Sequence, residues 1–145
     1  PLVYKRGGKP AVKEVVFNPP FSDKLFFVHL NEKQDSKDSI KHYQSLPLKD
    51  YDVAESAINE ITEKVITCTK LEEFNSLIDT HETIISDIIK TPTVKSKLFS
   101  DYTGSIKSLG GWGGDFILVT GNDSDMTYFK EKGYNTIVSF KDMIL

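Results

Sequence analysis

At 145 residues, with 39% hydrophobic and 27% charged side chains, the sequence has the composition expected of a soluble domain able to bury one core. Its formal net charge of −3 argues against nucleic acid, whose binders usually carry a concentrated basic face. One cysteine, Cys68, excludes an internal disulfide framework, and no apolar run approaches the ~20 residues that cross a bilayer, so the expectation is a cytoplasmic protein without membrane insertion.

The chain opens on Pro1 rather than Met, and further sequence upstream is expected. Leu2 to Phe17 contains two extended runs on either side of Arg6-Gly7-Gly8-Lys9, which predicts a β-hairpin. Asn18-Pro19-Pro20 turns the chain, because each proline lacks a backbone donor. Leu25 to Leu30 is almost wholly apolar, as in a strand covered on both faces. Asn31 to Ser39 is polar and predicts a loop with the look of a site rim.

Ala54, Ala57, Ile58, Ile61, Val65 and Cys68 recur at helical spacing, with Asp50 or Asp52 in position to cap the start. A second helix is predicted from Leu71 to the residues before Thr91-Pro92, its stripe running through Phe74, Ile78, Ile85 and Ile89. Val94 to Tyr102 is read as a short helix and Phe116 to Thr120 as an apolar strand. Asp123 or Ser124 caps a helix that Gly133 stops, and Asn135 to Phe140 forms a last strand. The order lacks regular β-α-β alternation and predicts an α+β fold, a mainly antiparallel sheet with helices packed on one face.

Gly110, Gly111, Gly113 and Gly114 crowd four glycines into five positions between extended segments. Each costs conformational entropy, so the density calls for a cause. A backbone brought close to a phosphate or to another loop is one cause, and a tight crossover with no ligand is another; the pattern alone fits both.

The run Lys107-Ser108-Leu109-Gly110-Gly111-Trp112-Gly113-Gly114, followed by an apolar strand, resembles the third motif of the GHMP kinases, the superfamily of galactokinase, homoserine kinase, mevalonate kinase and phosphomevalonate kinase. Lys107 matches its basic position, Gly110 its first glycine and Gly113-Gly114 its closing pair. Leu109 and Gly111 depart from it, standing where the family often has Thr and Ala or Ser. The order of strand, polar loop, two long helices and glycine loop is similar to the C-terminal half of such kinases. Asn18-Pro19-Pro20-Phe21, Asn31-Glu32-Lys33-Gln34 and Gly111-Trp112-Gly113-Gly114-Asp115 look like a divergent bacterial subgroup related to mevalonate-pathway kinases.

The resemblance implies residues 1–30 as the end of an N-terminal domain and 31–145 as a ferredoxin-like C-terminal domain. It implies transfer of the γ-phosphoryl group of ATP, with Mg2+, to a hydroxyl, carboxyl or phosphate acceptor. The family's phosphate loop is absent, so the chain alone is expected to be inactive and to supply no catalytic residue, its partner being the N-terminal half or a second copy. Lys107, Gly110, Gly111, Gly113 and Gly114 are then implied at the nucleotide side, and Asn31, Lys33, Gln34, Ser36, Lys37, Trp112 and Asp115 at the acceptor side. The alternative function is a noncatalytic ligand- or protein-binding module on a ferredoxin-like scaffold. His81 on the second helix's stripe and Cys68 read as core residues, and His29 and His42 lack partners at metal-ligand spacing.

Overall fold

The computed structural model describes residues 2–5, 9–32, 36–47, 51–110, 112 and 115–144. Strands β1 (Leu2–Lys5) and β2 (Ala11–Glu14) form the expected antiparallel hairpin, with Leu2 opposite Glu14 and Lys5 opposite Ala11. The main sheet has four strands, β3 (Leu25–His29), β4 (Ile106–Ser108), β5 (Phe116–Thr120) and β6 (Ile137–Ser139). They lie in the order β4-β5-β3-β6, and every pairing is antiparallel.

The apolar runs of β3 and β5 are explained by burial on both sides. Phe26 and Val28, with Ile117 and Val119, enter one core, whereas Leu25 and Phe27, with Phe116 and Leu118, join the other. Both central strands therefore need side chains of low polarity at every position rather than at alternate ones.

Two long helices, α2 (Asp52–Thr67) and α3 (Leu71–Ile89), contribute Val65, Leu71, Phe74 and Ile78 to the second core. Phe17, Phe21, Phe74 and Phe140 interlock beside them, with centroid separations of 5.1 Å for Phe21 to Phe74 and 5.9 Å for Phe17 to Phe140. Asp52 lies in the first turn of α2, but Tyr51 is the cap residue and makes no side-chain capping bond; Asp50 lies outside the described residues. Helix α3 ends at Lys90, whose left-handed φ of 52° reverses the chain before Thr91-Pro92.

The opposite face is also covered. Short helices α4 (Val94–Leu98) and α5 (Met126–Glu131) bring Val94, Met126 and Phe129 onto it, together with Phe99 and Tyr102 from the segment after α4. The α+β class and antiparallel sheet are as expected, and the helices pack on both faces of the sheet rather than one. Phe99 and Phe129 have no exposed surface, and their rings meet edge to face at 5.1 Å. Each such ring contributes about 1.5–3 kcal/mol through burial.

Three local expectations are corrected. Asn31–Ser39 is not all loop, because helix α1 (Ser36–Ser45) begins inside it. The helix after β5 is entered through a 3₁₀ turn, Asp123–Asp125, capped by Asn122, whose backbone N–H donates to Asp125 Oδ2 at 2.7 Å, rather than by Asp123 or Ser124. The final strand stops at Ser139: its hydroxyl accepts the Asp142 N–H and starts helix α6 (Phe140–Met143). Among the described residues no helix is long and apolar enough to cross a membrane.

Candidate functional site

The glycine-rich segment joins β4 to β5, and this hairpin places it at the end of the sheet where β3 finishes. Leu109 N–H donates to Phe116 O at 3.2 Å and closes the base of the turn. Gly110 has a φ of +66° with no atom within 4 Å of where a Cβ would stand, so its glycine serves backbone conformation rather than close packing. Trp112, half-buried, also has a left-handed φ of 52°, a geometry that costs a side-chain-bearing residue about 1–2 kcal/mol. Gly111, Gly113 and Gly114 lie outside the described residues.

The loop after β3 meets this turn. His29 pairs with Phe116 in the ladder, their rings 4.9 Å apart, and Leu30 N–H donates to Asp115 O at 2.7 Å. Asn31 turns the chain at a φ of 59°; its N–H donates to His29 Nδ1 at 3.3 Å and its side-chain amide to Gly133 O at 3.1 Å. Asn31, Trp112 and Asp115, chosen from the sequence as acceptor-side residues, thus belong to segments gathered at one end of the sheet. Lys33 and Gln34 lie outside the described residues, as do the side chains of Ser36 and Lys37 in the first turn of α1.

Lys107 points elsewhere. It shares a face of the sheet with its ladder partner Leu118, and its ammonium runs to α3 rather than along the turn. Lys107 Nζ stands 3.3 Å from His81 Nδ1, 3.5 Å from Glu82 Oε1 and 3.5 Å from Ser108 O. Glu82, 3% exposed, accepts the Ser108 hydroxyl at 2.9 Å through its other oxygen. Three residues earlier on both the helix and the strand side, the Ser105 hydroxyl donates to Asp79 Oδ2 at 3.0 Å. Helix α3 is thereby fastened to edge strand β4 by polar contacts flanking its apolar stripe.

The two charged partners respond differently to this enclosure. Burial pushes the Glu82 carboxyl up, but His81, Lys107 and Ser108 together outweigh it and hold the group below its ordinary value. Burial also disfavours the Lys107 ammonium, and here the support from Glu82 is insufficient, so that pKa falls. The carboxylate has a good hydrogen bond as well as a countercharge, whereas all three contacts of the ammonium are long. Sequence reasoning found Lys107 and placed His81 on its helix, but it missed Glu82, which has no local motif to mark it.

Beside this cluster a cavity of about 330 Å³ opens between the β1–β2 hairpin, α2, α3 and the sheet. Leu2, Val15, Ile61, Val65 and Ile78 are among its walls, and Lys107 and His81 stand at its margin. Cys68 is buried, its thiol donating to Lys70 O at 3.2 Å, which agrees with a core role. No group of three or more His, Cys, Asp or Glu side chains suited to a metal occurs among the described residues.

The sequence matches no model of a known protein family. A search of curated proteins likewise returns no match.

Proposed function

We propose that this chain is the C-terminal part of an ATP-dependent small-molecule kinase of the GHMP type, contributing a glycine turn and an acceptor-facing loop to a site completed by an N-terminal half. The observation that carries this reading is the Leu30–Asp115 hydrogen bond of 2.7 Å. It draws together the Asn31 loop and the glycine turn, two segments far apart in sequence, at the same sheet end. Phosphoryl transfer needs backbone close to phosphates and an acceptor oriented toward them, and two adjoining loops of this composition supply places for both. The strand order β4-β5-β3-β6 with antiparallel pairing also suits the ferredoxin-like domain of that family.

The hairpin adds support for a partner. Leu2, Tyr4 and Val12 on the hairpin and Val16 just after it are all exposed, Val16 by 86%, and a two-stranded unit is marginal in water by itself. An N-terminal half laid over this surface removes those side chains from solvent. ATP and Mg2+ would be held chiefly by that half, with Gly110, Gly111, Gly113 and Gly114 lining the nucleotide side and Asn31, Lys33, Gln34, Ser36, Lys37, Trp112 and Asp115 the acceptor side. Lys107, expected at the nucleotide side, is directed to His81 and Glu82 of α3 and stands outside this pair of loops.

The test uses the complete polypeptide that carries this sequence, assayed for ATP consumption against a panel of hydroxylated and carboxylated metabolites. Gly113→Val and Asn31→Ala are expected to lower turnover by at least tenfold while leaving the far-ultraviolet circular dichroism unchanged. Full turnover in both variants refutes the site, and no turnover with any acceptor favours the second reading, a noncatalytic binding module. That reading draws on the apolar cavity beside α2 and α3.

A further inference from the structure

We propose that the cavity between the β1–β2 hairpin and the α2–α3 pair is a binding site for a small amphipathic monocarboxylate, with its apolar tail among the helices and its head on the Lys107 ammonium. This inference does not rest on the kinase reading. The cavity's 330 Å³ falls within the range of small-molecule pockets, and at ~30 Å³ per water- or methylene-sized group it admits about ten. Ile61, Val65 and Ile66 from α2, Phe74 and Ile78 from α3, and Leu118 from β5 make most of its surface apolar. Tail chemistry follows from that lining.

Head chemistry follows from Lys107. It is the only Lys or Arg among the described lining residues, and its three contacts all lie between 3.3 and 3.5 Å, beyond the 2.7–2.9 Å of a strong charge-assisted bond. A ligand oxygen entering from the cavity has a loosely held donor to take up. The side chain retains 27% exposure and that of His81 20%, so both are reachable from the cavity. Glu82 sets the charge of the ligand. Its carboxylate, 3.5 Å from the same ammonium, already supplies one negative charge, so a dianion such as a phosphate monoester meets repulsion that a monocarboxylate halves. A neutral alcohol of the same length gains the tail contacts but adds no negative charge beside the ammonium, which Glu82 holds only loosely at 3.5 Å.

Octanoate and 1-octanol, which differ in the head group alone, are the probes. Titration calorimetry near neutral pH should give saturable one-to-one binding of octanoate, with 1-octanol at least tenfold weaker. Lys107→Met should abolish that preference, Lys107→Arg should keep it, and Ile61→Trp, which fills the cavity, should remove binding of both, with circular dichroism verifying the fold of each variant. The proposal is overturned if octanoate shows no saturable binding, if 1-octanol binds equally well, or if Ile61→Trp binds like the parent. ATP turnover plays no part in this readout, so its outcome separates from that of the kinase reading.

Discussion

Removing the Lys107 ammonium should destabilise the fold in a pH-dependent way. Unit charges about 4 Å apart interact by about 4 kcal/mol at an effective dielectric constant of 20, and the Lys107–Glu82 separation is 3.5 Å. Two features reduce the net cost of Lys107→Met: burial already disfavours the ammonium, and Glu82 keeps its hydrogen bond from Ser108. The expected loss is therefore about 2–3 kcal/mol, at or below the lower end of the range for breaking a buried pair. In the parent the Glu82 pKa is depressed, so its contribution is present above the unfolded carboxylate range and disappears as pH falls through the folded value. In the variant the lowering by Lys107 is lost while that by His81 and Ser108 stays, so the Glu82 pKa rises from its parent value and the carboxylate stabilises the fold less as pH increases. The gap between the two proteins should be widest near pH 8 and shrink toward about pH 4. Urea unfolding followed by circular dichroism measures it, and the double variant Glu82→Leu/Lys107→Met should recover to within about 1 kcal/mol of the parent. A gap that is equal at both pH values, or a double variant no better than Lys107→Met, would refute the assignment of the pair.

Gly104→Ala should cost about 3 kcal/mol or more, because its Cβ would overlap Thr120 O and come within 2.7 Å of Tyr102 Cε1, disturbing the bonds Tyr102 Oη and Ser105 N make to Thr120. Gly110→Ala, facing open space at positive φ, should cost only about 1 kcal/mol, and urea midpoints that rank the two in reverse order would contradict this. Burial and the Asp125 charge raise Tyr102 to about 12, so the folded state resists its ionisation and stability should decline from about pH 10 upward, while Tyr102→Phe flattens that decline in alkaline melts. Phe129→Ala, at a site with no exposed surface, should lose about 3–5 kcal/mol by thermal unfolding, whereas Val53→Ala, 86% exposed, should stay within ~0.5 kcal/mol.

How far the fold could be read from residues depended on whether a segment's partners were signalled locally. Helices α2 and α3 were legible because Ile61, Phe74 and Ile78 recur at helical spacing and are the positions that become buried. The strands β3 and β5 were legible from unbroken apolar runs, which also foretold cover on both sides, although helices on one face alone were expected. Helix α1 was not legible: the apolar side chains that extend it, Ile40 and Tyr43, stay exposed, so no stripe marks it. Phe140 looked like the end of a strand and instead opens a helix, because the Ser139 cap acts through Asp142, beyond the apolar window. At the site, the glycine turn and Asn31 were visible as unusual composition. Glu82 was not, since its meaning arises only when α3 docks on a strand 25 residues further along.

The sheet order also dictates when the molecule can assemble. Strand β3 finds its neighbours only in residues 116–120 and 137–139, so one of its hydrogen-bonding edges has no mate until synthesis has passed residue 116 and the other until it has passed residue 137. On a ribosome, β3 must wait with Leu25, Phe26, Phe27 and Val28 uncovered, which makes it the segment a holdase chaperone would grip and the place where premature termination does most harm.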